Sequence, residues 1–597
     1  MEPIKGWKTS FSYNYNNQSN RSTSNPRPVL VELGTGEFGN IGKATSGYEW
    51  AFSQNIYTLI NAVTSYERAF DRHFLKAMVG YEQEYRFTTG LTGYRAMLVN
   101  EDIPSISTSL GGIALSDQIT HWATQGVFGR LNYNFDEKYL LEFSARYNGS
   151  SRFNTGRKWG FFPSGSIGYT ISKESFWEPI ETYVNNLKFR ASYGSLGNQN
   201  VTNYLYLLTI PTVDEINWII DGERPPSANM PKIISDALTW ETITTLNLGV
   251  DATFLNSRLG VTFDWYNRVT TNMVGPAITL PYTLGASTPQ TNNAEMSTKG
   301  FELVLSWNDR ISPEFGYNAG VSFGDNRSEI LQYRNDKGVV DTWYAGKQVG
   351  EIWGFMSDGL IQNEGEAMAD QSKYWKSWGP GDMKYQDLNG DGVINDGQRT
   401  LDNHGDLVVI GNNRPRYNIG ITGGANWKQF DFSMFWQGVG KQDFYPDTDS
   451  PVFWGLTNAW GGSAIFKDSP NLDYWRPTDE TNILGPNTDA YLAKPYFTTE
   501  TNKNRQTQSR YLINAAYLRL RNVQLGYTLP TDFLSRFKIS NVRVYFSGEN
   551  LLLITNVPKA FDPETMIASD KDFGGYQTAG MIYPQTSSFS FGLHLTF

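Results

Sequence analysis

The densest cluster of ligand-type oxygens lies at Asp387-Leu388-Asn389-Gly390-Asp391-Gly392-Val393-Ile394-Asn395. Oxygen donors at alternate positions, with a glycine at the sharp turn, can wrap a hard divalent cation. Read this way, Asp387, Asn389, Asp391, the carbonyl of Val393 and Asn395, directly or through a water, would hold Ca²⁺. The twelfth position is Gln398 in place of a bidentate glutamate, with Asp396 and Asp402 nearby as substitutes. The competing reading is a run of Gly, Asn and Asp turns without metal. A bound ion here would stiffen a long loop and would not catalyse.

Other chemistry is sparse. The four histidines, His73, His121, His404 and His594, show no metal-ligand spacing, and no Gly-rich phosphate loop is present. Without a convergent His/Asp/Ser set, no enzyme is expected. Tryptophans collect in long connections: Trp343, Trp353, Trp375, Trp378, Trp454, Trp460 and Trp475. Such rings stack on sugars or seal against a partner, and equally well pack loops together. Trp343, Trp353, Trp454, Trp460 and Trp475 are taken as candidate ligand contacts.

These loops need a frame, and the frame shows as alternation. Phe589, Phe591, Leu593, Leu595 and Phe597 share one face of the last stretch. Ser588, Ser590, Gly592, His594 and Thr596 share the other, as a period of two requires. The pattern recurs at 127–135, 139–147, 187–193, 246–254, 259–265, 301–307, 417–427 and 430–437. Charges such as Glu142, Arg146, Lys188, Arg190 and Asp251 fall on the polar face. Many stretches reach about the 9–11 residues of a tilted membrane strand, against a usual 5–6 in globular sheets.

Connections alternate between short and long. Asp136 to Lys138, Asn256-Ser257, Asn308 to Glu314 and Lys428-Gln429 are short; 271–296, 328–416, 441–512 and 556–586 are long. The segment 173–185 is intermediate, with room for a helical turn. Membrane barrels have short periplasmic turns and long extracellular loops. The count is roughly 16 antiparallel strands, including three weaker ones near 6–17, 49–68 and 73–88. At 515–528 the apolar face changes side, which calls for a bulge near Arg521-Asn522.

Totals agree. The 597 residues carry 50 Lys plus Arg and 60 Asp plus Glu, a net charge of -10 that gives no sign of a nucleic-acid partner. There is no cysteine, hence no disulfide or thiolate metal site. No run approaches the roughly 20 apolar residues of a membrane helix. A polar average with 15% aromatic residues suits a barrel with one face in lipid and one in water.

Several stretches then point to a family. They are Asp136 to Leu140; Tyr147-Asn148-Gly149-Ser150-Ser151-Arg152-Phe153; Phe162-Pro163-Ser164; Leu187 to Gly194 with Gly197-Asn198-Gln199; and Trp240-Glu241-Thr242. Further along come Lys299-Gly300-Phe301-Glu302, Tyr474-Trp475-Arg476-Pro477, Tyr517 to Asn522, Gly548-Glu549-Asn550-Leu551 and Phe561-Asp562-Pro563-Glu564. In this order the chain resembles the C-terminal barrel portion of SusC/RagA-type TonB-dependent outer-membrane transporters of Bacteroidetes.

The resemblance implies an all-β, antiparallel transmembrane barrel over 1–597, with extracellular loops at 328–416 and 441–512. It implies uptake of oligosaccharides or peptides across the outer membrane, powered by the TonB complex, with a SusD-like surface lipoprotein over the long loops. The terminal strand, Phe589 to Phe597, resembles the signal read by the barrel-assembly machinery. The family's plug and N-terminal region have no counterpart here, and its barrel has about 22 strands. The expectation is a chain that begins partway through a longer protein, or one whose plug and first strands come from a second chain. Two alternatives stay open: an ungated porin of about 16 strands that closes on itself, and a surface glycan-binding or adhesion protein.

Overall fold

The computed structural model describes residues 4–33, 36–42, 44–213, 218–231, 233–235, 237–276, 283, 288–446, 450–455, 472–478, 483–534, 539–566 and 585–596. Sixteen strands dominate. They are β1 (Trp7–Ser24), β2 (Gly47–Phe70), β3 (His73–Ala96), β4 (Ile113–Phe135), β5 (Tyr139–Ser150), β6 (Trp159–Thr170), β7 (Val184–Asn198) and β8 (Glu241–Phe254). There follow β9 (Leu259–Val274), β10 (Asn292–Ser312), β11 (Phe315–Tyr333), β12 (Arg416–Trp427), β13 (Phe430–Lys441), β14 (Tyr517–Thr528), β15 (Asn541–Thr555) and β16 (Ser588–Thr596). They lie in one 16-stranded sheet in chain order, so every neighbour is also next in sequence. The expected strand number and antiparallel arrangement hold.

The chain divides into two compact units: Met1–Gly168 with Ser192–Thr244 and Thr270–Asn293, and Tyr169–Ala191 with Thr245–Val269 and Ala294–Phe597. In the first, β2 and β3 are each 24 residues long and β4 is 23, well beyond the expected membrane-strand length. Register sorts their side chains as the alternation predicts. Val127 faces Tyr147, Leu131 faces Phe143 and Phe135 faces Tyr139 on one side; Asn132 faces Glu142 and Phe128 faces Arg146 on the other. The turn between β4 and β5 places Asp136 and Glu137 at φ 55° and 53°. Two consecutive left-handed residues match the twist of a tight hairpin.

In the second unit β16 pairs with β15 through Phe591–Phe546, Leu593–Val544 and Leu595–Val542, all on one face. The opposite face pairs His594 with Arg543 and Ser588 with Glu549. Phe589, Phe591, Leu593 and Leu595 are exposed, Phe591 at 85%. Phe597 lies outside the described residues. A row of exposed phenylalanine and leucine is costly in water and favourable in hydrocarbon. The polar face is held by ion pairs that reach the next strand or the one beyond it. Arg190 of β7 donates to Asp251 of β8 at 2.7 Å and to Asp264 of β9 at 3.0 Å. Arg543 of β15 donates through Nε to Asp431 of β13 at 2.9 Å.

The bulge is present. Phe435 and Trp436 of β13 oppose Asn522 and Leu520, so Arg521 is the extra residue. The skip recurs against β15. The intermediate connection 173–185 contains short 3-10 turns, among them Ser175–Ile180.

Candidate functional site: the long-loop body

The two longest connections are not strings of turns. Glu351–Phe355 pairs with Leu407–Asn412, Ser357–Leu360 with Met383–Tyr385, and Asp443–Phe444 with Ile513–Asn514. Their apolar residues form one core. Phe355, Met383, Tyr385 and Leu407 come from the first connection, Trp454, Trp475, Leu492 and Tyr511 from the second, and Val557, Phe561 and Met566 from the loop before β16. Trp454 meets Tyr511 edge-on at 5.0 Å, and Phe453 meets Trp454 at 4.7 Å. Such rings contribute about 0.5–1.5 kcal/mol per pair beyond their burial.

A buried charge ties the first two connections together. Lys503 Nζ lies 2.7 Å from Asp382 Oδ2, and both side chains are 1% exposed. Lys503 also donates to the Ser377 carbonyl at 2.9 Å and to Glu500 at 2.9 Å. Asp382 Oδ1 accepts from Tyr496 Oη and from Asn504 Nδ2, each at 2.9 Å. A buried ion persists only when its hydrogen-bonding capacity is filled in this way. Tyr385 donates to the Lys503 carbonyl at 2.7 Å. Burial pushes the Tyr385 and Tyr511 phenols far above their ordinary value, so both stay neutral.

The Asp387–Asn395 loop adopts the tight turns its sequence predicts. Asp387 accepts from the amides of Gly390 at 2.7 Å and Gly392 at 2.8 Å; Asp391 accepts from Val393 at 2.8 Å. Asn389 Oδ1 accepts from the Asp391 amide at 2.9 Å, and Asn395 Nδ2 donates to the Val393 carbonyl at 3.0 Å. Gly390 and Gly392 sit at φ 77° and 81°, where a Cβ is strained. Asp396 is not a spare ligand, because it pairs with Lys373 and Arg399. Among the described residues no group of three or more His, Cys, Asp or Glu is placed to hold a metal. Sequence reasoning missed Asp406. This fully buried carboxylate accepts from Leu388 N at 2.8 Å and Asn395 N at 2.9 Å, closing the loop at both ends. No local pattern marks it.

The candidate tryptophans separate. Trp454 and Trp475 are 1% and 5% exposed and belong to the core, so of the two readings, stacking on a ligand or packing of loops, their burial fits packing. Trp353 packs against that core and lies 5.7 Å from the His404 ring. Trp343, half-buried, meets Tyr333 edge-on at 6.0 Å. Trp460 lies outside the described residues.

The scattered sequence motifs converge in space. In the first unit Trp240 packs against Phe153 and Phe162, each at 5.4 Å, with Leu238 closing the cluster. Asn198 donates to Glu241 at 2.6 Å, and Arg152 donates to the Gln199 carbonyl at 3.0 Å. In the second unit Arg519 meets Asp562 and bulged Arg521 meets Glu564, both at 2.6 Å. These motif residues are joints between a strand and a loop.

Long antiparallel strands, one exposed apolar face, a polar face of paired charges, short turns at one end and long loops at the other define the wall of an outer-membrane β-barrel. Among the described residues no helix is long and apolar enough to cross a membrane. The family profile "TonB dependent receptor-like, beta-barrel" matches residues 3–551, and the chain belongs to that family. It is 26% identical over 614 residues to TonB-dependent receptor P3 of Formosa agariphila, covering 99% of this chain and 56% of that protein. It is 25% identical over 578 residues to TonB-dependent receptor SusC of Bacteroides thetaiotaomicron, covering 95% of this chain and 52% of that one. The RagAB peptide transporter structure shares the fold at a TM-score of 0.77 and 21% identity, over 100% of this chain and 60% of that one. The chain thus spans little more than half the length of the curated relatives it matches. The curated relatives are named as TonB-dependent receptors, and the solved structure as a transporter.

Proposed function

We propose that this chain forms the barrel wall and outer loops of a TonB-dependent importer of the SusC/RagA type. The observation that carries the reading is a long-loop body with its own core, raised on strands whose apolar face is exposed. A porin needs no such body. It offers a rigid platform for a ligand and for a SusD-like lipoprotein closing over it. The cargo is an oligosaccharide or a peptide: SusC and the RagAB peptide transporter are both similar to this chain. TonB coupling runs through the plug of the whole transporter.

Deletion of the gene tests this. Growth on the cargo as sole nutrient should be lost, and an affinity tag on the transporter should recover a surface lipoprotein. A steady open conductance from the full protein in a planar bilayer would favour the porin instead. Within the platform, the Asp387–Asn395 loop is the proposed Ca²⁺ site, because its carboxylates are already oriented by backbone amides. Calcium should raise the thermal midpoint of the wild type and leave an Asp387→Asn, Asp391→Asn variant unchanged.

A further inference from the structure

Lys299 of β10 and Arg327 of β11 are direct cross-strand partners. They stand on the apolar face. The rows below them are Phe301–Asp325, Leu303–Phe323 and Leu305–Val321, ending at Trp307–Ala319 toward the short turn. The basic pair therefore marks the long-loop edge of the apolar band. A girdle of rings runs along that edge: Phe263 to Phe301 at 6.4 Å, Phe301 to Phe323 at 5.7 Å and Phe323 to Tyr417 at 6.3 Å. Aromatic girdles of this kind sit at headgroup level.

Both cations are exposed, and among the described residues neither is in a salt bridge, although Arg327 acts on the Asp325 carboxylate through space. Asp325, one row below, is taken by Arg416 of β12. Glu329, one row above, is the other acid at the site. A cleft of about 360 Å³ joins Lys299 and Arg327 to Trp265 and Phe301. Like charges directly opposite each other destabilise a sheet unless an anion lies between them. A phosphate supplies that anion: the guanidinium fork takes two oxygens, the ammonium a third. The ring floor of the cleft continues into the apolar band, so a phosphate held here would have its acyl chains against Phe301 and Leu303.

We propose that Lys299 and Arg327 bind the phosphate of an outer-leaflet lipid. The proposal rests on the outer-membrane placement and is independent of the cargo. The test is native mass spectrometry of the full-length transporter extracted from outer membranes, with phosphorylated lipid A, dephosphorylated lipid A or inorganic phosphate added. Loss of two surface cations by Lys299→Gln with Arg327→Gln should lower retention of phosphorylated lipid A about thirtyfold. Retention of the dephosphorylated form should not change. The charge-preserving exchange Lys299→Arg with Arg327→Lys should retain the lipid. Equal retention by wild type and the neutral variant would overturn the proposal. Displacement by inorganic phosphate would also overturn it, by showing a site for the free ion. Absence of the chain from the outer-membrane fraction would overturn the placement itself, before any lipid is counted.

Discussion

Arg519 on β14 reaches Asp562, 43 residues further along the chain, at 2.6 Å, with both side chains almost fully buried. Asp562 also accepts the amide of Glu564 at 3.0 Å, and Glu564 in turn accepts from Arg521 Nη2 through both carboxylate oxygens. The loop before β16 is thus clasped to the wall at a bulge that aims two arginines at it.

Breaking that clasp takes the main partner from a buried charge, with Glu564 at 3.6 Å as the remaining neighbour of Arg519. Arg519→Ala or Asp562→Ala should destabilise the protein by about 3–5 kcal/mol. Replacing both together should cost less than the sum of the single changes. Thermal unfolding of the four proteins in detergent measures the cycle.

Lys503→Met should loosen the long-loop body and spare the strands. It removes the partner of Asp382 while keeping the stem's volume. Limited proteolysis should show new cuts within 334–415 and 442–516, with strand fragments intact. Cuts within β12 or β13 would contradict a role confined to the loops.

Trp240→Ala would open a cavity among Phe153, Phe162 and Leu238 and remove one of two donors to the Lys158 carbonyl, the Nε1 at 2.8 Å, leaving the Ser150 amide at 3.0 Å. The expected cost is about 3–5 kcal/mol. Abundance in the outer-membrane fraction should fall, and Trp240→Phe should recover part of it.

Acid should loosen the first long connection. Arg399 holds the Asp341 carboxyl below its usual range through two hydrogen bonds, and Lys384 does the same for Glu366. A carboxyl lowered in the folded state contributes stability above its unfolded value of about 4, and loses it as pH falls through the folded value. Protection factors in 334–415, measured relative to the intrinsic exchange rate at each pH, should be high at neutral pH and fall as pH drops below the unfolded carboxyl value of about 4. Asp341→Asn with Glu366→Gln should flatten that dependence.

The frame was legible because it is local. Period-two faces, loop parity and the break at Arg521 each occupy a few consecutive residues, and all reappear in the register. The long-loop body was not legible because its contacts are remote. The Met383 amide donates to Asn504, 121 residues away, and Trp454 finds Tyr511 across the same connection. Nothing near Trp454 or Trp475 tells whether the ring is presented or packed. Asp382, Asp406 and Lys503 carry no motif; only three-dimensional closure gives them partners. The Arg519 and Arg521 motif was visible as a spelling, but its acceptors 43 residues on were not.

The shared core of the three loops also constrains how such a protein can diversify. A residue that points into that core cannot drift alone, because its neighbours belong to the other two segments and must adjust with it. Tips that leave the core untouched are under no such tie. New specificities in descendants of this chain would arise at the tips, while Phe355, Trp454, Tyr511 and Phe561 change together or stay fixed.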